Sequence, residues 1–79
     1  MEEFMSSDLF LELKENALNM FGTVKEGETK FIFYMKSEEE AQRYKRLINN
    51  RLKRVKAEII NHRTLSVFLR RKYELQKSG

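Results

Sequence analysis

Cysteine, proline and tryptophan are absent from this 79-residue chain, histidine and aspartate occur once each (His62 and Asp8), and the three glycines, Gly22, Gly27 and Gly79, are never adjacent. Without Cys there is no disulfide framework and no thiolate metal site, and the chain suits a reducing compartment. One His and one Asp leave no Ser-His-Asp or Cys-His constellation and no cluster of imidazole ligands. Scattered glycines build no phosphate-cradling loop. No stretch approaches the ~20 apolar residues of a spanning helix, and the acidic start Met1-Glu2-Glu3-Phe4-Met5 lacks the pattern of a secretory signal. The glutamates are the remaining candidates for acid–base or Mg²⁺ chemistry. They fall at expected helix starts and turns among polar neighbours, where a solvated role is favoured. These absences predict a non-enzymatic, intracellular protein of the cytoplasm, without cofactor, metal or membrane segment.

A length of 79 residues suits a single domain spanning residues 1–79 with one modest core. Six Phe, three Tyr and 41% apolar residues argue for a folded globule, and 35% charged residues for a soluble one. Residues 1–6 and 76–79 are expected to fray.

Hydrophobic spacing divides the chain. Over residues 8–21, Phe10, Leu13, Ala17, Met20 and Phe21 recur at intervals of three and four, which predicts a helix capped by Ser7 or Asp8 and closed by Gly22 at C′, preferred to a strand over 8–14, where Leu9, Leu11 and Leu13 alternate. Residues 23–36 read as a hairpin, with a weak arm Thr23-Val24-Lys25 that is a strand or a loop, a turn at Glu26-Gly27-Glu28 and a strong arm from Thr29 to Lys36. Ser37-Glu38-Glu39-Glu40 is a capping box and starts a second helix, with Ala41, Tyr44, Ile48, Leu52 and Val55 on its core face and an end near residues 54–56. The period then changes to two along Val55, Ala57, Ile59 and Leu65, Val67, Leu69, a second hairpin turning at residues 61–64. The expected fold is a small two-layer α+β domain: an antiparallel sheet of three to four strands with two helices on one face, in the order α-β(β)-α-β-β.

Charge is segregated along the chain. Residues 1–42 carry four lysines against ten acids, a formal charge of −6, whereas residues 43–79 carry twelve bases against Glu58 and Glu74, a charge of +10. All seven arginines lie in the second part. A basic surface attracts polyanions through counterion release, whatever their sequence. Helical winding gathers Arg43, Arg46, Asn50, Lys53 and Arg54 on one side, where Arg can take phosphate or guanine and Asn can read adenine. Bases at the end of a solvated helix also complement its dipole, so this stripe alone weighs equally for function and for stability. Bases on other elements, among them the run Arg70-Arg71-Lys72, are not explained by the dipole, and they favour a small nucleic-acid-binding protein, of DNA or of RNA, or a regulator, that contacts phosphates through its basic half.

The strand alternation isolates a second surface. With Phe31, Phe33, Leu65 and Val67 turned inward, Lys30, Ile32, Tyr34, Ile60, His62 and Phe68 face outward. Ile32, Tyr34, Ile60 and Phe68 are then either a stacking platform for bases or, by about two to one, the core of a protein contact, since apolar patches rimmed by charge mark interfaces. The patch leads to the expectation of a homodimer. The alternative function is a homodimeric interaction module or inhibitor that binds an acidic protein partner.

Overall fold

A computed structural model of the chain describes residues 2–25 and 28–69. Seven elements follow in order: α1 (Glu2–Met5), α2 (Asp8–Asn16), β1 (Asn19–Lys25), β2 (Glu28–Tyr34), α3 (Glu38–Arg51), β3 (Val55–Asn61) and β4 (Thr64–Leu69). The strands form one antiparallel sheet in the order β1-β2-β4-β3, so the α+β class and the four-stranded sheet are as expected. β4 lies between β2 and β3, and α3 carries the chain across it. β1 and β3 are the two edges.

Alternation decides which side of the sheet is dry. Phe31, Phe33, Val55, Ala57, Leu65 and Val67 are buried against the helices, and Ile59 and Leu69 pack at the margin of the same core. From α3 the core takes Ala41, Tyr44 and Ile48, and from α2 it takes Leu9, Phe10 and Leu13. Leu9 and Leu13 are four apart and share a helical face, whereas Leu11, between them, is 56% exposed. A strand over residues 8–14 would have put all three on one side.

Three features depart from the sequence reading. The segment 2–6, expected to fray, contains the four-residue helix α1, whose Phe4 is fully buried. Phe4 meets Phe10 edge-on at 5.0 Å between centroids and Phe33 at 6.1 Å, so a four-ring cluster of Phe4, Phe10, Phe31 and Phe33 anchors the N-terminus. The helical layer therefore has three members rather than two.

Second, the first long helix stops at Asn16 instead of running to residue 21. Ala17 is already extended, the Leu18 N–H donates to the Tyr34 carbonyl at 2.7 Å, and residues 19–25 pair with β2 in seven consecutive steps. Local propensity permits another turn of helix, but strand pairing satisfies more backbone groups, and tertiary context overrides propensity. Gly22 is accordingly a strand residue and not a helix cap. A Cβ there would stand 2.7 Å from the Phe31 ring, so the missing side chain lets that ring cover the strand backbone. The weak hairpin arm is a full strand, and the loop alternative falls.

Third, α3 ends at Arg51 with Leu52 as its C-cap, so Val55 enters the core from β3 and not from the helix. The Ser37 hydroxyl does accept the Glu40 N–H, at 3.2 Å. No Ser37 N–H donation to the Glu40 carboxylate accompanies it among the described hydrogen bonds, and Glu40 Oε2 is buried without a partner.

Candidate nucleic-acid interface

No described helix covers one face of the sheet, and the register arranges that face in rows. One row runs Thr23, Lys30, Phe68, Lys56, setting the Phe68 ring between two lysines. The next runs Phe21, Ile32, Ser66, Glu58, and the third Asn19, Tyr34, Thr64, Asn61. Ser66 is 3% exposed and forms the floor at the centre. Ile32 and Phe68 are half-buried beside it, and Tyr34 is exposed. Ile60 stands where the β3–β4 register shifts, between Ile59 and Asn61, and is exposed.

Phe21 is the functional candidate that the sequence reading missed. Placed in a helix it counted as core; in β1 it faces outward, 60% exposed, opposite Ile32. Its ring meets that of Tyr34 edge-on at 6.3 Å and 80°. The signal was present in the alternation Met20, Phe21, Gly22, Thr23, but four residues of period two are weak against a helical period that fits the same stretch.

Few described acids lie on this face. Among the described side chains its one carboxylate is Glu58, and Lys56 pairs with it at 3.3 Å. The other acids whose side chains are described lie in α1, α2 and the first turn of α3, in the opposite layer. The described acids thus gather mainly in the helical layer, whereas described bases occur in both layers, Arg43 and Arg46 of α3 among them. Lys30, Lys36 and Arg63 add cations on or beside the open face, the last two joined by an Arg63 Nη1 donation to the Lys36 carbonyl at 3.5 Å. Each exposed ion pair contributes only about 0–1 kcal/mol, so Glu58 competes weakly with a phosphate for Lys56.

The helical stripe is less coherent than its sequence suggests. Arg43, Arg46 and Asn50 are exposed on one side of α3, away from Ala41, Tyr44 and Ile48. Lys53 and Arg54 lie beyond the helix end, exposed in the bend before β3. Arg43 and Arg46 line a shallow depression together with Glu38, Glu39 and Gln42, so two carboxylates share the site. The neighbouring amide Asn49 has a structural role: its side chain accepts the Ala57 N–H at 2.9 Å and donates to the Ala57 carbonyl at 3.1 Å, occupying one position of the β3 edge as a further strand would. Arg70, Arg71 and Lys72 lie outside the described residues. His62 is exposed in the β3–β4 turn.

Among the described residues no three His, Cys, Asp or Glu side chains come together as a metal site, and no helix is long and apolar enough to cross a membrane. No protein-family model matches the chain, and no curated protein or solved structure matches it significantly.

Proposed function

We propose that the protein is a non-enzymatic binder of single-stranded nucleic acid, taking bases on the open sheet face and phosphates on the lysines around it. The observation that carries the reading is the row Lys30, Phe68, Lys56, an aromatic ring flanked by two cations on a face whose one carboxylate among the described side chains is Glu58. Single strands bind such platforms because any base stacks on an aromatic ring while basic side chains track the backbone. Phe21 and Tyr34 extend the stacking surface, and Arg43, Arg46, Asn50, Lys53 and Arg54 supply further phosphate or base contacts from the other layer.

Fluorescence anisotropy with oligothymidylate, oligouridylate and a duplex across a salt series tests this. Phe68→Ala is expected to weaken single-strand binding about tenfold or more, since a stacked base is worth about 1–3 kcal/mol. Lys30→Ala and Lys56→Ala are each expected to lower the salt slope by about 0.7, for loss of one phosphate contact to a single strand. If Arg43→Ala with Arg46→Ala abolishes binding while Phe68→Ala leaves it unchanged, the site moves to α3. Absence of binding to all three probes at low salt refutes the function.

A further inference from the structure

The two edges of the sheet are treated very differently. β3 is protected: Asn49 fills the position at Ala57, a register shift bends the strand between Ile59 and Asn61, and Lys56 and Glu58 put charge along it. Natural sheets use such devices, a covering group, a bulge and charge, to stop edge-to-edge pairing. Among the described residues β1 has no covering side chain and no bulge, and its one charged residue is Lys25 at its end. Its ladder to β2 runs through seven pairs without a shift, and β2 is its one extensive neighbour among the described elements. Leu18 and Phe21, at its start, are 65% and 60% exposed. Nine consecutive residues, from Asn16 to Val24, carry no charge, the longest such run in the sequence of a chain that is 35% charged.

We infer that β1 is a dimerisation strand, pairing antiparallel with β1 of a second copy so that two four-stranded sheets join into one of eight strands. The occupant follows from the charge pattern. Each copy carries a net +4, so two copies repel in most orientations and approach at least cost where neither has charge. The uncharged run is that place. An acidic foreign strand finds no described cation among residues 19–23 to meet it, and a nucleic acid has no peptide ladder to add. A two-fold axis sets the strand against itself in the antiparallel sense, with no like charges opposed across residues 19–23. The main-chain groups of an exposed strand then find the partners that edge addition supplies. Phe21 of each copy comes close to the axis, and the open faces of the two sheets become continuous. The inference stands independently of what that face binds.

Sedimentation equilibrium of the full chain measures it. The wild type is expected at twice 9.6 kDa in the high micromolar range. Phe21→Lys and Phe21→Glu, each placing like charges beside the axis, are expected to be monomeric, and an equimolar mixture of the two to associate again. Ile60→Lys, exposed at the register shift of the other edge, is expected to leave the dimer intact. Amide exchange across residues 19–23 is expected to be at least tenfold slower in the wild type than in Phe21→Lys. Thr23→Glu is the second disrupting variant should Phe21→Lys lose its circular dichroism signature, because Thr23 is exposed and its own sheet sets it opposite Lys30. A monomeric wild type, a dimer that survives charge at Phe21 and Thr23, or a dimer lost in Ile60→Lys overturns the proposal.

Discussion

Replacing Phe4 by alanine separates a docked N-terminus from a frayed one by a wide margin. A frayed residue touches nothing, and its substitution stays within about 0.5 kcal/mol. The structure instead places the ring at full burial, edge-on to Phe10 at 5.0 Å and 68° and to Phe33 at 6.1 Å and 83°, with Phe31 tilted beside it at 5.9 Å. Truncating a buried Phe to Ala costs about 3–5 kcal/mol in transfer and cavity energy. At about 0.05–0.15 kcal/mol per residue the whole domain is stable by roughly 4–12 kcal/mol, so this one ring is a large part of the total. The expected fall in melting temperature is on the order of 20 °C, from about 4–8 °C per kcal/mol in a domain of this size. Urea unfolding followed by circular dichroism gives the free energy directly, with the m-value as a check that the native state remains compact. A loss below about 1 kcal/mol would show that α1 is not part of the core and that the ring cluster holds without its first member.

Gly22→Ala is expected to cost about 1–3 kcal/mol, because its Cβ meets the Phe31 ring at 2.7 Å and that ring is itself held among Phe4, Phe10 and Phe33; urea unfolding reads it, and a neutral result would mean the ring has room to move. Asn49→Ala removes both side-chain bonds to Ala57 and is expected to cost about 1–3 kcal/mol, with faster amide exchange at Ala57 as the local signature. Ser37→Ala is expected to cost about 1 kcal/mol through loss of the Glu40 N–H acceptor, whereas Glu40→Gln, which leaves that cap in place, should stay within about 0.5 kcal/mol in the same thermal melts.

The layered charge distribution bears on how the surfaces work together. The carboxylates of α1, α2 and the start of α3 lie on the far side of the sheet from Lys30 and Lys56, so these acids would repel the proposed nucleic acid on the open face only at longer range. Screening over about 10 Å at 0.1 M salt weakens the opposing layer further. Arg43 and Arg46 sit next to Glu38 and Glu39 and have no such insulation. This difference is the physical reason for preferring the sheet to the helix, though the sequence holds more arginine in the helix.

The capped start of α3, the two hairpins and the inward set Phe31, Phe33, Leu65 and Val67 were all legible in the sequence, because each rests on short-range rules: a serine three residues before a glutamate, and alternation over five or more residues. The charge segregation was equally plain. Tertiary structure alone decided the fate of residues 17–24, where helical and strand periods both fit and the outcome depends on the backbone partners that β2 offers. It decided that Phe4 belongs to the core, since a buried ring four residues from the chain start has no local signature. It also decided the strand order, which brings Lys30 from the acidic half and Lys56 from the basic half, 26 positions apart in sequence, to either side of Phe68. Local patterns set which way each side chain faces; which strands become neighbours is settled by burying the apolar faces of all elements at once, a condition on the whole chain that no window of sequence contains.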